Sequence, residues 1–460
     1  MKHSIAELTA MVRTGRITAV SLVEVSLEQA NANTTLNAFI SLDRERALEA
    51  ARQTDALVAA GGDPGPLCGV PLVIKDNINV AGMRTTAGTP GINFVAKSSA
   101  PVVARLQAAN AIIIGKTNMH ELAFGVTSNN AAFGAVRNPQ DPSCFPGGSS
   151  GGTAAAISAG IVPAGLGTDT AGSVRLPAAL TGIAGLRPTT RCVDPAGIVP
   201  SVPSFDVVGP MARDVMDVAY LYGIMTGNPV AARRDVKGLR FGVAKPHCEN
   251  LSPGVAQAME VTLACLQHAG ATLLDVDLSE VVAASFEVGF PIGFHQMKSA
   301  MTDFLAQYQP QTQLEEMINQ IASKDVKAVY ENSVIGEGAP TEADYRTALG
   351  RIEGIQREYL RIMQHHDIDA FIFPTAVIEA QSIATSSDTL MINGETAPTL
   401  QTYMRNNAAT GVCGAPGLTI PIGTGEAGLP VGMELDGRPG GDLELFAIGL
   451  GLEAAIASKT

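Results

Sequence analysis

The sequence predicts an α/β fold, and three observations carry that expectation. Short, wholly apolar runs recur along the chain, among them Val70–Ile74, Ala111–Ile114 and Ala370–Phe373, and such runs read as buried strands. Stretches with helix start and stop signals separate them, and strands alternating with helices build layered α/β architecture. The chain has 460 residues, 46% hydrophobic and 16% charged, so it can bury a large core. No repeat of 20–50 residues and no low-complexity linker divides it. One domain over residues 1–460 is expected, with a mainly helical cap or side layer around 283–366.

The elements follow in order. Ser4 and Glu7 form a capping box that starts a helix. Ala19–Asn31 reads as a second helix and Asp43–Ala60 as a third, stopped by Gly61-Gly62. Val70–Ile74 is a strand with Lys75 directly after it. Thr85–Ile92 reads as turns. Ser99 and Pro101 open a helix to about Asn110, and Ala111–Ile114 is the next strand. Lys116–Phe124 is expected to be helical, followed by a loop over Gly125–Gly134. Gly147–Gly152 and Thr168–Ser173 are glycine-rich, serine-bearing turns around a small-residue helix and a short apolar run. Ala178–Ile183 and Asp214–Met225 read as helices, Leu239–Val243 as a strand. Ser252 caps a helix with Pro253 in its first turn. Thr272–Val276 is a strand, Ala283–Val334 mainly helix, and Thr341 with Asp344 caps a long helix to about His366. Gly417–Ile422 and Val431–Leu435 are strands, and Leu443–Ala455 closes as a helix.

Composition narrows the function classes. The formal net charge of −13 disfavours a nucleic-acid backbone as partner. Glu7 interrupts any apolar signal-peptide core, and no apolar run reaches transmembrane length without Gly or Pro. Six scattered cysteines without a CxxC read as reduced thiols of a cytoplasmic protein. Several motifs fail on context. Gly147–Gly151 matches G-x-S-x-G as a string but lacks the strand that a nucleophile elbow needs before it. Gly115-Lys116-Thr117 ends like a phosphate-binding loop, but Asn110 stands where its first glycine belongs. There is no HExxH and no clustered histidine set, so no metal and no cofactor are expected.

What remains is nucleophilic chemistry. Glycine-rich turns expose N–H groups to a developing oxyanion, and both turns carry serine: Ser149 in the first, Ser173 at the end of the second. A serine needs a base. His120 is the histidine nearest these motifs in sequence; as a packed histidine it would do no chemistry. Lys75 ends an all-apolar strand, and desolvation favours the neutral, basic form of an amine, although Asp76 beside it could keep it charged. As an ordinary strand-end lysine it would be solvated. On residue chemistry alone, Lys75 stands only modestly ahead of His120 as the base.

Three motifs in order resemble the amidase signature family: Val73-Ile74-Lys75-Asp76-Asn77, Gly147-Gly148-Ser149-Ser150-Gly151-Gly152, and Gly167-Thr168-Asp169-Thr170-Ala171-Gly172-Ser173-Val174-Arg175-Leu176-Pro177. The resemblance implies a large mixed central sheet covered by helices on both faces. It implies a Ser–cisSer–Lys triad, with Ser173 as nucleophile, Ser149 as bridging serine on a cis peptide and Lys75 as terminal base. It places the oxyanion hole at the N–H groups of Thr170, Ala171, Gly172 and Ser173, and it makes Asp169 and Arg175 the pair that holds this loop. Ala171 departs from the commoner glycine but keeps its N–H. Thr170 is left open between substrate contact and turn former, and Ser128 is taken as a turn former.

Within the family the chain is most similar to indoleacetamide and mandelamide hydrolases, on Asn118–Asn130, Gly134–Pro139, Phe371–Ala376, Tyr403–Asn406 and Gly432–Gly437. That likeness implies a metal-free hydrolase of small neutral amides, with Met119 and Phe124 as pocket walls. Its partner is a small-molecule amide, not nucleic acid or membrane, and a monomer or homodimer is expected. Aryl acylamidase or carbamate hydrolase activity on the same triad is the alternative. An amidotransferase subunit and an inactive binding protein come after it.

Overall fold

A computed structural model describes residues 3–229, 232–386 and 388–458. Its centre is an eleven-stranded mixed sheet. In spatial order the strands are Phe39–Leu42, Ile112–Thr117, Pro71–Lys75, Ala164–Asp169, Val207–Ala212, Ala184–Arg187, Gly417–Thr424, Pro430–Asp436, Ala370–Pro374, Arg240–Ala244 and Thr272–Val276. Pro71–Lys75 pairs in parallel with both Ile112–Thr117 and Ala164–Asp169. The middle of the sheet, from Ala164–Asp169 through Val207–Ala212 to Ala370–Pro374, is antiparallel. Helices cover both faces, which is why the central strands are buried along their whole length.

The caps read from sequence act as expected. Ser4 and Glu7 bond reciprocally, as do Thr341 and Asp344, and Ser252 accepts from Val255 N–H with Pro253 in the first turn. The Lys116–Phe124 helix is a correction. Lys116 and Thr117 complete the Ile112–Thr117 strand, and only Glu121–Ala123 forms a short 3-10 turn. Two buried strand positions filled by Lys and Thr hide the end of this strand from a reading based on apolar runs, which stops it at Ile114. The same cause hid Ala164–Asp169, whose last two residues are Thr168 and Asp169 rather than a turn.

Helix Gly151–Ser158 is made of small residues because it lies against the strand edge. A Cβ on Gly152 would come within 2.3 Å of the Asn118 carbonyl oxygen. The region 283–366 contains the thirty-residue helix Ser279–Tyr308, then Leu314–Asn319, Lys324–Val329, a π turn at Tyr330–Val334 and Glu342–His365. Its hydrophobic cluster is separate from the one beneath the main sheet. Among the described residues no helix is long and apolar enough to cross a membrane, and all six cysteines are free.

Candidate active site

Parallel pairing brings the ends of Pro71–Lys75 and Ala164–Asp169 together, and this places Lys75 beside Thr168. Lys75 is fully buried. Its Nζ lies 2.7 Å from Ser149 Oγ and 2.8 Å from Thr168 Oγ1. Burial drives the lysine down from 10.5 to about 7, against the opposing pull of Asp169 and Asp206. Asp76 does not hold it charged. Successive side chains leave a strand on opposite sides, so Asp76 turns away to a buried ion pair with Lys116 at 3.1 Å and to the N–H of Thr86 at 2.8 Å. Nothing in the sequence around Lys116 marked it as that partner.

The Gly148–Ser149 peptide is cis. The turn around it is held from several sides. His120 N–H donates to Ser149 O (3.1 Å), and Ser150 N–H donates to Ser173 O (3.1 Å), which ties the two serine turns backbone to backbone. Ser128, in the left-handed region at φ +57°, accepts from Gly151 N–H at 3.1 Å. It is a turn former, as expected.

Ser173 is half-buried and lies on the wall of a cavity, together with Thr170 and Ala171. Among the described residues no hydrogen bond joins its hydroxyl to Ser149. The N–H groups of Thr170, Ala171 and Ser173 likewise have no hydrogen-bond partner among the described residues. Gly172 is a correction. Its N–H donates to Asp169 Oδ1 at 2.9 Å and is therefore engaged. Its glycine is required for another reason: φ is +115°, and a Cβ would meet Asn407 at 2.7 Å.

Asp169 is the hub beneath this loop. It also accepts from Val174 N–H (3.1 Å), from Arg175 Nε and Nη2 (each 3.0 Å) and from Arg187 Nη1 (3.1 Å). Burial alone would raise its carboxyl; Arg175 and Arg187 outweigh that and hold it well below the usual carboxylate range. Arg175 bonds Glu434 on the other side, and Arg187 reaches the carbonyls of Thr170 (3.3 Å) and Phe205 (2.8 Å). Burial pushes Glu434 and its neighbour Asp436 up, against the pull of Arg175. Thr170 Oγ1 donates to Asp206 at 2.6 Å, which makes its side chain part of the loop's support. Arg187, Asp206 and Glu434 come from three different strands or strand ends; Glu434 lies in the quoted Gly432–Gly437 segment, but nothing in sequence gave any of the three a role.

His120 is packed, with both ring nitrogens engaged. Its Nδ1 accepts from Ser128 N–H at 3.2 Å, so Nε2 carries the proton toward Asp325 at 3.0 Å. Glu121 accepts from Ala322 N–H (3.1 Å) and Ser323 N–H (2.7 Å). These two residues fasten the helical side layer to the Ser149 turn.

Of the two expected pocket walls, Phe124 lines the cavity and Met119 does not. Met119 is buried beneath the site against Gly88. The other walls are Val126, Val202, Phe205, the Ser285–Met297 part of Ser279–Tyr308, Leu400, Met404 and Val412. Among the described residues no charged side chain lines this space. The helical side layer thus supplies much of the cavity, although its sequence shows only an ordinary apolar helix.

Comparison with known proteins agrees with this geometry. A sequence profile described as Amidase matches residues 21–446. The mandelamide hydrolase of Pseudomonas putida is 37% identical, over 98% of this chain and 91% of its own length. The indoleacetamide hydrolase of Agrobacterium vitis is 36% identical, over 98% and 97%. A crystal structure of an amidase superposes with a TM-score of 0.87 at 31% identity, covering 98% of this chain and 99% of that one. The chain belongs to the amidase signature family and is a hydrolase of amide C–N bonds.

Proposed function

We propose that the protein hydrolyses small neutral amides with an aryl or aryl-acetyl acyl group, through an acyl-enzyme on Ser173. The observation that carries this is the pairing of buried Lys75 with Ser149 at 2.7 Å, on the turn next to Ser173. An amine near 7 is half neutral at neutral pH. It takes a proton from Ser149 while Ser149 takes the proton of Ser173, and Ser173 Oγ attacks the amide carbon. Hydrogen bonds of this kind are often loose in unliganded enzymes and close on substrate. The N–H groups of Thr170, Ala171 and Ser173 receive the oxyanion. The relay then runs backwards, the nitrogen leaves protonated as the C–N bond breaks, and water releases the acid by the same route. The chemistry uses neither metal nor cofactor.

The uncharged, aromatic cavity favours a neutral acyl group over a zwitterion such as free glutamine, whose charges would be buried unpaired. This supports a free-standing hydrolase over an amidotransferase subunit. The same triad would open aryl carbamates and anilides if they fit. Free cysteines support a reducing, cytoplasmic setting. The test is a hydrolysis screen across aryl-acetamides, anilides and aryl carbamates with wild type and Ser173→Ala. Turnover lost in Ser173→Ala, with the circular dichroism spectrum kept, is the expected result. Near wild-type turnover in that variant removes Ser173 as nucleophile.

A further inference from the structure

Helix Ser279–Tyr308 faces the cavity with Ser285, Gly289, Gly293 and Met297, positions four apart and therefore on one side. Neither a clash nor a backbone angle requires glycine at these two positions, which flank Pro291. Neither has a positive φ. A Cβ at Gly289 would meet nothing nearer than Val412 Cγ2 at 4.0 Å, and one at Gly293 nothing nearer than Val202 Cγ2 at 3.4 Å. Those are ordinary contacts or open space. Glycine inside a helix is less stable than alanine, so both positions forgo helix stability without a packing return. Gly152 and Gly172, by contrast, are each forced by a close neighbour.

What the missing side chains leave is space within reach of Ser173. The cavity measures about 100 Å³, comparable with the ~150 Å³ apolar cavity that accepts benzene, so one aromatic ring is its scale. We propose that Gly289 and Gly293 are specificity-determining residues: together they hold open the slot for a single flat ring of the acyl group against this helix. The proposal rests on the reading of Ser173 as the acyl-accepting residue.

The test separates the two. In the Ser173→Ala protein, phenylacetamide binding is measured by calorimetry with and without Gly289→Leu. The added side chain is expected to weaken binding by about tenfold or more, the scale on which apolar pockets discriminate. With Ser173 intact, Gly289→Leu is expected to lower kcat/KM for phenylacetamide by a similar factor and to leave propionamide within about threefold. Gly289→Ala should raise the thermal midpoint while it lowers the phenylacetamide-to-propionamide ratio. Gly350→Ala, at an exposed position of Glu342–His365 where a Cβ meets nothing within 4 Å, should raise the midpoint and leave the ratio unchanged. Equal phenylacetamide binding with and without Gly289→Leu overturns the proposal, as does no phenylacetamide binding to the Ser173→Ala protein. Loss of binding with Gly289→Leu in a protein that turns over no amide supports the slot and sinks the catalytic reading. Normal turnover, abolished by Ser173→Ala but indifferent to Gly289→Leu, does the reverse.

Discussion

Replacing Lys75 by methionine should make the protein inactive and, at neutral pH, more stable. Lys75 has a folded value of about 7 against 10.5 for a free lysine. At pH 7 the unfolded chain therefore binds a proton that the folded chain half releases. That gap corresponds to about 5 kcal/mol of folding free energy forgone when the difference is fully expressed. Methionine fills similar space and has no charge to desolvate. It also loses the bonds to Ser149 and Thr168, at about 1–1.5 kcal/mol each. The net expectation is a gain of about 2 kcal/mol at or below pH 7. The sign then reverses. Between pH 7 and 10.5 the unfolded state binds more protons than the folded one, so the Lys75 protein gains stability as pH rises. Near pH 10 the desolvation cost is nearly gone, and the lost hydrogen bonds leave Lys75→Met the less stable by about 2 kcal/mol. Urea unfolding of both proteins at pH 6, 7, 9 and 10 measures the difference, and other alkaline ionisations cancel in it. A Lys75→Met protein less stable at every pH, with no trend, would refute the argument that burial keeps this amine near neutrality. Residual turnover would refute its role as base.

The remaining predictions concern the groups around it. In wild type, kcat/KM should fall about tenfold per pH unit well below 7, as Lys75 gains its proton. An ordinary histidine near ~6.5 would place its limb almost at the same pH, so the profile alone does not separate the two bases. His120→Ala separates them: it should keep the limb and most of the turnover, while the orphaned Ser128 N–H costs about 1–3 kcal/mol in urea unfolding. A limb that vanishes with His120 would transfer the base to it. Asp169→Ala should destabilise by about 3–5 kcal/mol, because buried Arg187 loses its ion-pair partner and buried Arg175 one of its two. Asp169's carboxyl is held below its ordinary value, so its contribution is complete above about pH 4 and lost below that. A small, pH-independent effect in acid titrations of the two proteins would mean the loop is held without it.

Much of this site was legible before any coordinates. Three short motifs carry Lys75, Ser149 and Ser173, since a glycine-rich turn and a strand-end lysine are local features whose chemistry depends on residue type and spacing. Helix ends were legible for the same reason: a capping box such as Thr341 with Asp344 is decided within four residues. The polar ends of Ile112–Thr117 and Ala164–Asp169 are not legible in sequence, because a polar side chain is acceptable in a buried strand only when a distant partner pairs with it. Asp76 beside Lys75 could not be weighed from sequence. Whether an adjacent carboxylate protonates an amine depends on which side of the backbone each leaves, and on Lys116 waiting forty residues away. Likewise Gly172 looked like an oxyanion donor until Asp169 claimed its N–H. The cavity beside Ser173 was the least legible part. Phe124, Val202, Gly289 and Val412 come from four separate stretches of chain, and only their packing converts an apolar helix into a wall. Local chemistry thus follows from local sequence, whereas charge state, loop support and substrate space follow from contacts between residues far apart in the chain, which no periodicity or motif encodes.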